Sequence, residues 1–217
     1  MNDYFIAVYT HECKSYCDNK FFNRLTMIGG DVHVVDNSDG TWYYDRLRKM
    51  VGFASVEHLD VEADDHGFLR RVTESVKRLQ EKFLETDKGA FVILESDVLA
   101  PRNLLSLFEE VRGKADIIGG IYYRGFHNDK WFVPGYEKLV EAKHVLSGCT
   151  LYERDVLEQI EFRCDIQEND GAFPDAWMSK DAEEAGFKLA NYTKIKCTHL
   201  SLLVISKYIA YKNYLLT

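Results

Sequence analysis

The run Phe91-Val92-Ile93-Leu94-Glu95-Ser96-Asp97 constrains this chain more than any other segment. Four bulky apolar residues in succession suit a strand buried on both faces, the kind found in parallel sheets covered by helices. Such a strand can carry Glu95 and Asp97 only at its exposed carboxyl end. Alternation then sends both carboxylates to one side, with Ser96 opposite, so that hard oxygen donors can face a cation such as Mg²⁺ or Mn²⁺. A solvated strand end without an ion is the plainer reading of the same spacing.

The neighbouring segments supply the rest of such a sheet. Tyr4 to Tyr9 reads as a strand, and Asp18 or Asn19 can cap a helix running to Gly29-Gly30. Val32 to Val35 is a second strand, ended by the turn cluster Asp36-Asn37-Ser38-Asp39-Gly40. A helix from about Thr41 to Met50 and a short strand near Phe53 to Leu59 follow. Leu69, Val72, Val76, Leu79 and Phe83 recur at helical spacing and predict an amphipathic helix from Phe68 to Leu84. Pro101 opens a further helix to about Val111. This alternation predicts an α/β fold with a mostly parallel central sheet flanked by helices, whose ligands bind at the carboxyl ends of the strands. Asp36 and Asp97 both fall on that edge.

The second half is less regular. Asp116 to Tyr123 reads as a strand, with Gly119-Gly120 where something approaches its backbone closely. Val145 to Tyr152 is another, followed by a helix from about Arg154, and Asp175 to Ala185 is a helix closed by Gly186. Between them lie Trp131, Phe132 and the acidic loop Asp165 to Gly171. The tail from Leu202 to Leu216 is amphipathic: it packs onto the domain, lies on a membrane surface, or docks a further domain.

Composition narrows the function classes. With 217 residues, 46% hydrophobic, and only three prolines to interrupt it, one domain over 1–217 is expected. A net charge of −8 with no basic stripe argues against nucleic acid as partner. No stretch of apolar residues is long enough to span a membrane and no leader pattern opens the chain, so a cytoplasmic protein is expected. Its five cysteines, at 13, 17, 149, 164 and 197, show neither a paired framework nor zinc-ligand spacing.

In this order the segments resemble the GT-A (Rossmann-like) fold of nucleotide-sugar glycosyltransferases, particularly the inverting, family-2-like group. The opening strand ends in Thr10. Val34 to Asp39 is similar to the family's second-strand turn, whose Asp contacts the nucleoside, here Asp36. Gly67-Phe68-Leu69-Arg70-Arg71 resembles the Arg-containing entry to the helix before the metal site, and Glu95-Ser96-Asp97 falls where the family has Asp-x-Asp. Ser147-Gly148-Cys149, with Arg154 beyond it, resembles the acceptor-side Gly segment. Pro174-Asp175, followed by Met178 and Ala185-Gly186-Phe187, resembles the family's Glu-Asp helix. Two positions depart from the pattern: Glu95 replaces the first Asp of the metal motif, and Pro174 replaces the acid before Asp175.

The resemblance implies a nucleotide-sugar-binding half at 1–112, an acceptor half at 113–200 and a C-terminal helix at 201–217. It implies a UDP-sugar donor contacted by Thr10, Asp36, Arg70, Arg71 and Ser96, and Mn²⁺ or Mg²⁺ held by Glu95, Asp97 and His199. Asp175 would be the base that deprotonates a hydroxyl of a glycan or glycoconjugate acceptor, with Asp170 and Glu168 as rivals. Trp131, Trp177, Tyr122 and Tyr123 offer rings for an acceptor cleft. Each has an ordinary alternative: Asp36 as a turn cap, Arg70 or Arg71 as a helix-surface ion pair, Asp175 as a helix cap, His199 as a core or surface histidine, and the aromatics as core. Three other functions stay open, namely a retaining transferase, a sugar-1-phosphate nucleotidyltransferase, and a non-catalytic nucleotide-sugar or glycan-binding module. The nucleotidyltransferase would usually carry a glycine-rich loop after the first strand, where this chain reads Thr10-His11-Glu12-Cys13.

Overall fold

A computed structural model of the chain describes residues 3–50, 52–61, 67–123, 137–164 and 173–200, and in it the apolar run becomes β4 (Ala90–Glu95), buried except at Glu95. It lies parallel to β1 (Tyr4–Thr10), which in turn pairs in parallel with β2 (Asp31–Asp36), and β2 with β3 (Ser55–His58). The register sets Tyr9 opposite Glu95 and Thr10 opposite Asp36, so three strand ends meet along one line.

Beyond β4 the sheet becomes mixed. β8 (Cys149–Glu153) runs antiparallel to β4, β6 (Ile117–Tyr123) antiparallel to β8, and β9 (Leu189–His199) parallel to β6. Two short strands, β5 (Val98–Leu99) and β7 (Leu139–Glu141), pair antiparallel with β9. Among the described residues this makes one nine-stranded sheet in the order β3-β2-β1-β4-β8-β6-β9-β5, mostly parallel, with β7 also on β9.

Alternation along the strands builds a core on each face. Ile6 and Val8 of β1 and Val92 and Leu94 of β4 pack with Phe21 and Leu25 of α1 (Asp18–Ile28). Phe5, Ala7, Phe91 and Ile93 face the other way, onto Val76, Leu79 and Phe83 of α3 (Gly67–Leu84). Each fully buried Val, Leu, Ile or Phe side chain among these stabilises the fold by about 1.5–3 kcal/mol, which is why these two strands form its centre. The smaller helices α2 (Trp42–Leu47), α4 (Leu104–Glu109), α5 (Arg154–Gln159) and α6 (Pro174–Glu184) complete the layers. Among the described residues no helix is long and apolar enough to cross a membrane.

Several boundaries differ from the sequence reading. Asp18 begins α1 and does not cap it, because its carboxylate accepts from Tyr43 Oη at 2.7 Å and pairs with Arg46. α2 stops at Leu47, since Lys49 and Met50 bond three residues back and tighten the last turn. Pro101 forms a turn bonded to Leu104, and α4 starts only there. Val145 to Gly148 does not join β8; Val145 N–H instead donates to Ser179 Oγ on α6. The Gly119-Gly120 pair meets its expectation: a Cβ at Gly120 would lie 2.7 Å from Ile195 Cγ2, and β6 shifts register there. Trp131, Phe132, the acidic loop with Glu168 and Asp170, and the 201–217 tail lie outside the described residues.

One half-buried histidine gives the fold a pH dependence. His33 on β2 stacks on Phe5 with ring centroids 3.9 Å apart, its Nδ1 is 2.9 Å from Ser55 Oγ, and burial lowers its pKa to about 4. The unfolded chain takes up this proton near the ordinary pKa of ~6.5 while the folded chain resists it, so stability falls as the pH drops between these values. A loss of about 2–3 kcal/mol is expected by about pH 4 from this residue. Urea unfolding of His33→Gln should show a correspondingly smaller fall with acidification; parallel curves for both proteins would contradict it.

Candidate active site

Asp97 ends the turn after β4 and is 2% exposed. Its carbonyl accepts from Leu200 N–H at 2.6 Å, and Val98 pairs with His199 across β5 and β9. This two-residue strand carries His199 to the acidic pair, with its Nε2 3.7 Å from Asp97 Oδ2. One ligand atom each from Glu95, Asp97 and His199 lies within 4.8 Å of the others. Asp97 Oδ1 is buried and has no hydrogen-bond partner among the described residues. An oxygen-rich set with one unclaimed buried carboxylate oxygen fits a hard divalent cation.

Glu95 is fastened through one oxygen. Oε1 accepts from the Tyr9 hydroxyl and from Ser147 Oγ at 3.3 Å. Burial, and then the Asp97 charge, push its carboxyl above the usual range, while the Tyr9 bond opposes them. Ser147 also links to the proposed base: its N–H donates to Asp175 Oδ2 at 3.3 Å. Pro174 takes the first position of α6, where a missing N–H costs nothing, and Asp175 follows in the first turn, partly exposed and accepting from Ala176 N–H. Thus Asp175 stands one residue removed from the metal candidates, through Ser147.

Above the acids opens a cavity of about 440 Å³, whose wall includes Thr10, Ser96, Asn37, Arg71 and Phe68. Thr10 Oγ1 donates to Ser96 Oγ at 3.0 Å, which joins the ends of β1 and β4. Arg71, on the buried side of α3, reaches Asn37 O at 3.2 Å and His11 Nε2 at 3.0 Å and pairs with Asp39. Cys13 N–H already donates to His11 Nδ1 at 3.1 Å. A neutral imidazole has one acceptor nitrogen, so His11 cannot accept from both Arg71 and Cys13. Arg70 is exposed on α3 and outside the cavity wall.

Three groups of candidate residues are engaged within the fold. Asp36 has no exposed surface: Oδ1 accepts from Ser38 N–H at 3.1 Å and its hydroxyl, and Oδ2 lies 2.9 Å from His58 Nδ1. It holds the β2 turn to β3 and is too deep to touch a nucleoside. Asp36→Ala should therefore cost about 1–3 kcal/mol of stability, read by chemical denaturation, because three donors lose their acceptor. Unchanged stability would contradict this bracing role. Tyr122 and Trp177 are core, not cleft: the Tyr122 hydroxyl bonds Leu146 O and Gly148 N–H, and Trp177 is 8% exposed beneath Arg163. Arg154 caps the end of α3 by donating to Leu84 O and Thr86 O.

No motif in the sequence marks Lys14 or His11 as site residues. Both lie within a turn of Thr10, in or beside a short 3-10 helix, Glu12–Cys17, and Lys14 forms an ion pair with Asp97. The available signal was positional, since residues just after β1 share an edge with those just after β4.

No family model matches the chain, and no curated protein matches it by sequence. Solved structures do match. The chain is similar to the crystal structure of S. aureus TarS 1-349, at 13% identity and a TM-score of 0.63, over 92% of this chain and 60% of that one. The same TarS portion in complex with UDP-GlcNAc aligns at 15% identity and a TM-score of 0.61, over 93% and 59%. GalNAc-T7 with UDP, GalNAc and Mn²⁺ aligns at 10% identity and a TM-score of 0.60, over 91% and 44%. The chain thus spans about 60% of the length of TarS 1-349. What it shares with them is the fold: a curled, mixed, mostly parallel sheet flanked by helices in a single α/β domain.

Proposed function

We propose that this chain is a glycosyltransferase that moves a sugar from a UDP-sugar to a hydroxyl of a glycan or glycoconjugate, with inversion at the anomeric carbon and with Mn²⁺ or Mg²⁺ at Glu95, Asp97 and His199. The observation that carries this reading is the buried Oδ1 of Asp97, without a partner among the described residues and set beside Glu95 and His199. The likeness of fold to structures holding UDP-GlcNAc, and UDP with Mn²⁺, supports it. The cavity, about 440 Å³, is of the size that takes ligands of this class.

A divalent cation bound there would offset the charge that builds on the diphosphate as it leaves. Arg71 turns from His11 to pair with phosphate oxygens, a task suited to its planar fork. Thr10 and Ser96 offer hydroxyls at the joined strand ends, and Asn37 a further polar contact. Asp175 removes the acceptor hydroxyl's proton from the face opposite the leaving group, as a single in-line displacement requires. Ser147 keeps Asp175 and Glu95 in a fixed relation, so base and metal anchor are set by one turn.

UDP release from a panel of UDP-sugars, with and without Mn²⁺, tests the proposal. Slow release that needs the cation is expected even without acceptor. Tight UDP-sugar binding with no release under any condition would point to a binding module.

A further inference from the structure

The Lys14 ammonium rests on Asp97 Oδ2, the same oxygen that faces His199 Nε2. Its side chain is 29% exposed, while Asp97 is 2% exposed. Lys14 also borders the cavity that Arg71 and Asn37 enclose. Resting on the reading of this cavity as a donor site, we propose that Lys14 exchanges with the divalent cation. The ammonium holds Asp97 Oδ2 until a cation, entering at the open Oδ1, drives it off by like-charge repulsion, and then passes to the diphosphate of the donor.

The charges require an exchange. Glu95 and Asp97 offer at most two negative charges, whereas the cation and Lys14 together bring three positive ones into a site where solvent screens weakly. A cation on Oδ1 and the ammonium on Oδ2 of one carboxylate repel each other, and a further anion gives the ammonium somewhere to go. A diphosphate supplies that anion, and Lys14 has the means to reach it: a compact charge on a flexible four-carbon stem, rooted beside the cavity, with its head partly in solvent. Two consequences follow from linkage. UDP, by drawing Lys14 away, tightens cation binding, and the cation tightens UDP by the same factor. Lys14 makes the site discriminate between a cation alone and a cation with its nucleotide.

Manganese binding, followed by electron paramagnetic resonance and calorimetry without and with UDP, tests the exchange on the wild-type chain, Lys14→Met and Lys14→Arg. Thermal melts of each variant confirm the fold. Lys14→Met should bind Mn²⁺ alone about tenfold or more tightly than wild type, and UDP should tighten its Mn²⁺ by a smaller factor. Its affinity for UDP at saturating Mn²⁺ should fall. Lys14→Arg, which keeps the charge, should stay close to wild type for Mn²⁺ alone. Equal or weaker Mn²⁺ binding by Lys14→Met, with UDP binding intact, would overturn the exchange and leave the donor-site reading standing. Wild-type chain that binds UDP but takes up no Mn²⁺ would also overturn it, by making Lys14 a permanent replacement for the cation. If wild type binds neither Mn²⁺ nor UDP, both readings fail.

Discussion

Asp97→Asn is expected to lower turnover by on the order of 10²–10³-fold or more, because it removes the charge that anchors the cation at the leaving group. The fold should survive. Asp97 is buried close to the Glu95 carboxylate, so neutralising it relieves repulsion while giving up the Lys14 ion pair, and the two effects oppose each other. The backbone bond from Leu200 to Asp97 O, which holds β9 in place, does not depend on the side chain. Glu95→Gln should do less harm, since a Gln carbonyl can still accept from Tyr9 and Ser147. A melting temperature near wild type with lost turnover supports the assignment. Full turnover by Asp97→Asn would remove Asp97 from the metal site.

The second large effect concerns the base. Asp175→Asn should lower turnover by roughly 10²-fold or more, within the range of general-base catalysis, and leave UDP affinity nearly unchanged. Asn keeps one acceptor oxygen, enough for Ala176 N–H at the helix start, while the longer bond from Ser147 N–H to the other oxygen is lost, so a melt of the variant accompanies the assay. NMR of the product should show an anomeric configuration opposite to that of the donor. Retained configuration would remove the need for a base and place the chemistry in the retaining class. A fully active Asp175→Asn would shift the role toward the acidic loop, to Asp170 or Glu168.

The parts of this molecule that local pattern governs were legible in its sequence. β1, β2, β4 and α3 follow directly from apolar runs and helical spacing, and their two-sided core is the alternation made solid. The acidic pair was legible because a buried strand that breaks into carboxylates must do so at its end. The parts set by distant pairing were not. His199 reaches Asp97 through β5, a strand of two residues that no periodicity reveals. A strand-end Asp reads the same whether it faces a ligand or folds back, and the His58 that claims Asp36 comes from another strand. The same holds for the aromatics: Tyr122 and Trp177 look like stacking rings until Gly148 and Arg163 close over them. Lys14 became visible only when β1 and β4 were set side by side.

Calorimetric titration of UDP in Mn²⁺ and in EDTA measures directly whether a cation joins nucleotide to Glu95, Asp97 and His199. UDP is expected to bind in Mn²⁺, to weaken by about tenfold or more in EDTA, and to show no such dependence in Asp97→Asn. Equal affinity in Mn²⁺ and EDTA for the wild-type chain would contradict it.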